Sequence, residues 1–124
     1  MKPKTILVVE DDPGILDILA SVFELENYLV LQAENGQEAL DILKTLEELP
    51  GLICLDLMMP MMDGQTFLNE IQTKAENVRF QKIPVLILSA ARAEVFGTTV
   101  GHIRKPPAID QLLQFAEKYC GSRY

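Results

Sequence analysis

Five short apolar runs, each followed by a polar turn and then by further chain, constrain the fold more than any other feature of this sequence. Four of them are complete strand-like runs and the fifth is a shorter one within "GHIRKPP": Thr5–Val9, Tyr28–Ala33, Leu52–Asp56, Ile83–Ala90 and the segment from Gly101. The third run, "LICLD", is almost wholly apolar, which is typical of a parallel strand covered on both faces. Strands that alternate with amphipathic helices predict a parallel sheet with helices on both sides.

The helices are predicted from apolar residues that recur at helical spacing. They lie at roughly 13–26, around Ala39–Leu46, after Gly64, with Phe67, Leu68, Ile71 and Ala75 on one face, and at Ile109–Ala116. One connection departs from this pattern. The stretch "AARAEVFGTTVG", between Ser89 and His102, is too short and too rich in Thr and Gly for a helix as long as the others. It predicts one or two helical turns, or only a loop.

Composition narrows the class of protein. With 124 residues, 48% of them hydrophobic and 23% charged, the chain is expected to form one globular domain over residues 1–124. A net charge of −7 argues against direct nucleic-acid binding. Apolar runs are far shorter than the roughly 20 residues that a membrane span needs. The two cysteines are expected to be reduced thiols, and the protein to be cytoplasmic.

Polar residues stand where the predicted strands end. Glu10 and Asp11 follow the first strand, Asp56 ends the third, Ser89 lies in the fourth and Lys105 follows the fifth. The carboxyl ends of parallel strands share one edge, where ligands of open α/β sheets bind. Crowded carboxylates need a counter-ion, and Mg²⁺ suits oxygen ligands. With a lysine and a hydroxyl beside them, they predict a site for phosphoryl transfer to Asp56 as the nucleophile.

The motifs "ILVVEDD", "AENGQEAL", "ICLDLMMPMMDG", "VLILSA" and "IRKP" follow one another in this order. In this combination the chain resembles the receiver domain of two-component response regulators over essentially its whole length. The resemblance implies a flavodoxin-like, doubly wound five-stranded parallel sheet of order 2-1-3-4-5. The short connection after Ser89 then implies a shortened or missing fourth helix.

The resemblance also implies roles for individual residues. Asp56 matches the phospho-accepting aspartate, and Asp11 matches a direct Mg²⁺ ligand. Glu10 matches the acidic neighbour that holds the metal through water, and Met58 the residue whose backbone carbonyl completes the metal site. Ser89 matches the switch hydroxyl that bonds the phosphoryl group.

The remaining matches lie in or near the last strand. Lys105 matches the lysine that pairs with the phosphoryl group, and the Lys105–Pro106 peptide is expected to be cis. His102 stands where the family usually carries a switch Tyr or Phe. It either fills that role less hydrophobically or is an ordinary, partly exposed strand residue. Local chemistry predicts further that Asp12 caps a helix, that Asp63-Gly64 forms a turn and helix start, and that the loop methionines serve packing: Met58, Met59, Met61 and Met62.

The expected function is that of a phospho-acceptor rather than an enzyme. A histidine kinase or a phosphotransfer protein is expected to donate the phosphoryl group to Asp56, with Mg²⁺ required and slow self-dephosphorylation following. Because Tyr124 comes soon after the last helix, signalling is expected to pass through protein–protein contact, unless the chain is one domain of a larger protein. The alternative is a degenerate receiver that acts as a phosphorylation-independent interaction module. A metal-dependent phosphatase is weakly supported, because Met58 stands where a second acid would be needed.

Overall fold

The computed structural model describes residues 4–59, 61–90 and 94–121. Its five parallel strands are hydrogen-bonded in the order β2-β1-β3-β4-β5. Their bounds are β1 Thr5–Val9, β2 Leu29–Ala33, β3 Leu52–Asp56, β4 Val85–Ser89 and β5 Gly101–Arg104. This is the flavodoxin-like order that the resemblance implied, so the predicted fold class is confirmed.

Three α-helices and one 3-10 helix lie between the described strands, and a fourth α-helix follows β5: α1 Pro13–Leu25, α2 Gly36–Thr45, α3 Gly64–Thr73, the 3-10 helix Ala75–Phe80 and α4 Ile109–Cys120. Side-chain caps start three of the α-helices. Asp12 accepts hydrogen bonds from the backbone N–H groups of Gly14 and Ile15, Asn35 caps α2, and Asp63 caps α3. Such caps satisfy backbone donors that a helix start leaves unpaired. The predicted roles of Asp12 and of Asp63-Gly64 are therefore confirmed.

The sheet divides the core into two apolar clusters, because alternate residues of each strand point to opposite faces. One cluster lies beneath α2, α3 and the 3-10 helix and contains Leu7, Val9, Ile53, Leu55, Val85 and Ile87. The other lies beneath α1 and α4 and contains Ile6, Val8, Leu52, Cys54, Leu86 and Leu88. Every residue of β3 is buried. The centre of the sheet is thus covered on both faces, as the apolar third run predicted.

The connection between β4 and β5 contains no helix within its described part, residues 94–100. We call these seven residues the strap. Of the two alternatives expected there, one or two helical turns or only a loop, the strap is a loop, while residues 91–93 of the same stretch lie outside the described residues. The strap runs along α3, where Gln65 and Gln72 hydrogen-bond to its backbone.

Some predicted boundaries were wrong by a residue or two. The first helix ends at Leu25, the second strand begins at Leu29 and the fourth strand spans Val85–Ser89. Ala75 was placed on the third helix, but it begins the 3-10 helix and is exposed. Lys74 is extended and breaks the α-helical conformation before Ala75. Among the described residues, no helix combines the length and the apolar character needed to cross a membrane.

Candidate functional site

A cleft of about 480 Å³ opens at the carboxyl edge of the sheet. Its walls come from the ends of β1, β3 and β4 and from the residues after β5: Glu10, Asp11, Asp12, Ile15, Asp56, Met58, Ala90, Lys105 and Pro106. Because β1, β3 and β4 are adjacent in the sheet, side chains distant in sequence meet there. The structure therefore brings together most of the residues that the sequence singled out.

Lys105 lies between two buried carboxylates. Its Nζ donates a hydrogen bond to Glu10 Oε1, and it lies 3.3 Å from Asp56 Oδ2. Glu10 is wholly buried, and Asp56 is only 4% exposed. Buried carboxylates are costly unless they are paired, and Lys105 supplies that partner for both.

The charge balance of this group is incomplete. Burial, followed by the proximity of Asp56, raises the pKa of Glu10 to about 7, even though Lys105 works in the opposite direction. Partial burial disfavours the charge of Lys105, but its hydrogen bond to Glu10 and the nearby carboxylate charges outweigh this, so the pKa of Lys105 is raised. One cation therefore does not fully compensate two carboxylates, and the cleft favours a further positive charge.

The backbone after β3 fixes the Asp56 carboxylate. The N–H of Met58 donates to Asp56 Oδ1 at 3.2 Å, and the N–H of Gly64 donates to the Leu57 carbonyl at 3.0 Å. A Cβ on Gly64 would lie 2.3 Å from the Asp56 carbonyl oxygen, so only glycine allows α3 to start this close to the strand. The start of α3 is therefore packed directly against the backbone of Asp56.

The donor set suits a hard divalent cation. One carboxylate oxygen from each of Glu10, Asp11 and Asp56 lies within 4.8 Å of the other two. Asp11 is exposed, whereas its two partners are buried. All three ligands are oxygen atoms, as Mg²⁺ prefers, and a cation would favour the ionised form of Glu10, whose pKa is raised by burial and by the nearby Asp56. The residues present therefore fit Mg²⁺.

Comparison with protein families gives the same assignment. The model of the response regulator receiver domain matches residues 6–117. The chain belongs to this family. It is a receiver domain of the kind used in two-component signalling.

Curated relatives support this assignment. Sporulation initiation phosphotransferase F of Bacillus subtilis is 35% identical over 126 residues, covering 96% of this chain and 95% of that protein. Response regulator Rre1 of Synechocystis is 37% identical over 90 residues, but the alignment covers only 37% of its length. The receiver domain is thus similar to a protein of its own length and also to part of a longer regulator.

Solved structures share the fold. The receiver domain of the Francisella response regulator 1452 superposes with a TM-score of 0.80 at 26% identity, covering 93% of this chain and 94% of that one. The receiver domain of the sensor histidine kinase PA1611 from Pseudomonas aeruginosa has a TM-score of 0.82 at 20% identity, covering 97% and 99%. That structure has a magnesium ion coordinated in its active site cleft.

Two further residues that the resemblance singled out in this receiver lie at the β4–β5 side. Ser89 is buried at the end of β4, and its carbonyl accepts the backbone N–H of Lys105 at 2.8 Å. The Lys105–Pro106 peptide is cis, as the resemblance implied. His102 lies in the middle of β5, opposite Ile87 in the strand register, and is exposed. The functional roles of Ser89, Lys105 and His102 remain predictions.

The loop methionines divide into two pairs, which the sequence did not distinguish. Met59 and Met62 pack against the core beneath α2 and α3. Met58 and Met61 are 76% and 86% exposed, so the packing role predicted for their side chains was wrong. Met58 instead contributes its backbone N–H to Asp56, a contact that its side chain gives no hint of.

Two glutamines of α3 were missed in the sequence. Gln65 and Gln72 bind the backbone of the strap at Phe96 and Thr98. The only sequence signal for them is weak: two amide side chains seven residues apart on one helix, and a glycine, Gly97, in the segment that they bind. Their significance appears only when the strap is seen beside α3.

Proposed function

We propose that the receiver domain accepts a phosphoryl group on Asp56 from a phosphohistidine of a histidine kinase or a phosphotransfer protein. The observation that carries this proposal is the environment of the Asp56 carboxylate. It is 4% exposed, lies at the cleft, and is held between the Met58 N–H and the Lys105 ammonium. A nucleophile fixed in this way attacks with little loss of conformational freedom.

The chemistry is a displacement at phosphorus. A carboxylate oxygen of Asp56 forms the new O–P bond while the N–P bond of the donor imidazole breaks, and the electron pair returns to the imidazole nitrogen. Lys105 is within reach of the oxygens of the transferred group and can offset their charge. The hydroxyl of Ser89 is proposed to bond the phosphoryl group after transfer.

Glu10, Asp11 and Asp56 would hold Mg²⁺, with the backbone carbonyl of Met58 proposed as a further ligand. The ion would supply positive charge beside the transferred phosphoryl oxygens. The magnesium reported in the cleft of the Pseudomonas aeruginosa receiver supports this part of the proposal. The name of the Bacillus subtilis relative, a phosphotransferase, supports phosphoryl transfer as the chemistry.

We propose further that the protein dephosphorylates itself slowly, that it is not otherwise an enzyme, and that phosphorylation changes which proteins bind it. A cytoplasmic location remains a prediction from the sequence. The alternative of a degenerate receiver is disfavoured, because Glu10, Asp11, Asp56 and Lys105 all line one cleft.

Incubation with acetyl phosphate tests the proposal directly. With Mg²⁺ present, we expect intact-mass spectrometry to show one added phosphoryl group, and we expect a chelator to abolish it. Asp56→Asn should remove the adduct. Asp17→Asn, which changes an exposed aspartate on α1, should leave the adduct unchanged. An unmodified wild-type protein, or an undiminished adduct on Asp56→Asn, would show that the protein acts without phosphorylation at this residue.

A further inference from the structure

The strap is held on α3 by two pairs of reciprocal hydrogen bonds. Gln65 Nε2 donates to the Phe96 carbonyl at 2.7 Å, and the Phe96 N–H donates to Gln65 Oε1 at 2.9 Å. Gln72 makes the same pair with Thr98, at 2.7 and 2.8 Å. Each glutamine therefore binds both polar backbone groups of one strap residue, as a neighbouring strand would.

The spacing makes this arrangement possible. Residues seven apart lie on the same side of an α-helix about two turns from one another. The strap residues that they bind, Phe96 and Thr98, stand on either side of Gly97, where the backbone bends. Gly97, between them, has φ +126°, and a Cβ there would lie 2.7 Å from Gln72 Oε1. The close approach of strap and helix therefore depends on glycine at this position.

The helix that carries these glutamines is also fixed to the phospho-acceptor. Gly64 begins α3 and packs against the backbone of Asp56, and Gln65 is the next residue. A side chain one residue from the contact with Asp56 thus binds the strap. Helix α3 therefore contacts both the end of β3, through Gly64, and the strap, through its glutamines.

The strap leads directly into the strand that positions Lys105. Two residues after Thr98, the Val100 N–H donates to the Val85 carbonyl and begins the pairing of β5 with β4. On one face of β5, Ile103 packs into the core with α4. On the other face, His102 and Arg104 are exposed. Among the described residues, the strap is therefore the segment that connects β5 to α3.

We propose that Gln65 and Gln72 are positioning residues for Lys105. By binding the strap, they keep β5 in register with β4 and so keep the Lys105 ammonium beside Asp56. The role of Lys105 in phosphoryl transfer rests on the proposed function, whereas the mechanical link from glutamine to strap to lysine does not. In this receiver, the two glutamines add hydrogen bonds to the packing of Val95 against the core, and together they anchor a connection that contains no helix in its described part.

Native-state hydrogen exchange tests the mechanical link. Gln65→Met and Gln72→Met keep the length of the side chain and remove both hydrogen-bonding atoms. In the double variant, we expect the amides of Val100 and Lys105 to exchange at least about tenfold faster, because all four hydrogen bonds between the glutamines and the strap have been lost. The amide of Ile53, which bonds to the Pro84 carbonyl in the sheet centre, should not change. Gln114→Met, at an exposed position of α4, is the matched control.

Exchange of the Lys105 amide within about twofold of wild type in the double variant would overturn the proposal, because pairing with β4 and packing on α4 would then suffice. The single variants serve if the double variant does not fold. Each removes one pair, and each should accelerate exchange at the strap residue bound by the other glutamine. Unchanged exchange there would show that the two pairs do not act on one segment.

Kinetics test the consequence for the site. We expect the maximal rate of phosphorylation by acetyl phosphate to fall about fivefold or more in the double variant, with its half-saturating concentration unchanged, because Lys105 acts on charge in the transition state. An unchanged maximal rate would overturn the positioning role. If the wild type is not phosphorylated at all, the proposed function fails, yet the exchange experiment still decides whether the glutamines position Lys105.

Discussion

The centre and the edge of the sheet contribute to the same cleft but are supported very differently. All five residues of β3 are buried, with β1 and β4 on either side and an apolar cluster on each face. In β5, an edge strand of four residues, only Ile103 is buried. Asp56 ends β3, and Lys105 follows β5.

The site therefore combines Asp56, on a strand buried along its whole length, with Lys105, which follows a strand that is mostly not buried. Asp56, the proposed nucleophile, lies where any displacement would disturb packing on all sides, so its position is set by the whole core. Lys105 is held by its carboxylate partners, but the backbone that carries it follows an edge strand in which only Ile103 is buried, and segments of that kind open locally at low free energy. The same kind of substitution, such as glycine to alanine, should therefore change the free energy of unfolding by different amounts at the centre and at the edge of the sheet.

The largest effect is expected at the centre, for Gly64→Ala. The added methyl group would lie 2.3 Å from the Asp56 carbonyl oxygen and 2.7 Å from Leu57 Cα, and backbone atoms there cannot move aside without unpacking the sheet. We expect the free energy of unfolding to fall by about 3 kcal/mol, measured by urea denaturation.

Gly14→Ala is the control for this substitution. Its methyl group would lie 3.3 Å from a side-chain oxygen of Asp12, which can adjust. Alanine is also favoured over glycine in a helix by about 1 kcal/mol. We expect stability within about 1 kcal/mol of wild type. A similar loss for both variants would mean that contact with Asp56 is not what makes Gly64 sensitive.

The second prediction concerns the charge of Lys105, which pairs with Glu10 and Asp56. Lys105→Met should leave Glu10 and Asp56 buried without their cation, and we expect unfolding at pH 8 to become easier by about 2 kcal/mol. At pH 5.5 the loss should be smaller, because Glu10 can then take up a proton. Lys74→Met, at an exposed position, should change stability little. Equal losses at the two pH values would exclude carboxylate repulsion as the cause.

The comparison also explains what could be predicted from the sequence. The parallel sheet and the placing of Glu10, Asp56 and Lys105 at one edge of it were predictable, because apolar runs locate the strands and polar residues follow them directly, whereas the strand order came from the family resemblance. The cap at Asp12 was predictable because it depends only on the next few residues. Features that depend on local sequence, or on the regular arrangement of strands in a sheet, can therefore be predicted from sequence patterns.

Features that depend on where an irregular segment contacts another part of the chain cannot be predicted from such patterns. The strap was expected as one or two helical turns or as a loop, but its attachment to Gln65 and Gln72 depends on where an irregular segment lies beside a helix, and no periodicity encodes that. The same holds for Met58, whose backbone N–H binds Asp56 whatever its side chain is. The pKa of Glu10 likewise depends on burial and neighbours that only the folded chain provides.

The third prediction uses the pKa of Glu10, which is raised from 4.5 to about 7. The folded state then holds a proton that the unfolded state releases, so this contribution to stability is complete below about pH 4.5 and is lost as the pH rises through about 7. Between pH 5 and pH 8 without Mg²⁺, we expect wild type to lose on the order of 1–2 kcal/mol relative to Glu10→Gln, measured by urea denaturation.

Magnesium should reverse this trend, because it favours the ionised carboxylate. We expect Mg²⁺ to raise the melting temperature of wild type more at pH 8 than at pH 5. In Glu10→Gln, the stabilisation by Mg²⁺ should depend less on pH over this range. If both proteins respond to Mg²⁺ with the same pH dependence, protonation of Glu10 does not govern binding of the ion.

The smallest effect on global stability is expected at the edge, for Gly97→Ala. Glycine has φ +126° there, and a methyl group would also lie 2.7 Å from Gln72 Oε1, so alanine strains the backbone and presses on the glutamine that binds the strap. However, the strap can release this strain by leaving α3, which limits the cost to the free energy of strap opening. We therefore expect the free energy of unfolding to change by less than about 1 kcal/mol. Amide exchange at Phe96 and Thr98 should nevertheless accelerate at least about tenfold. A global loss as large as that of Gly64→Ala would mean that the edge unfolds only together with the centre.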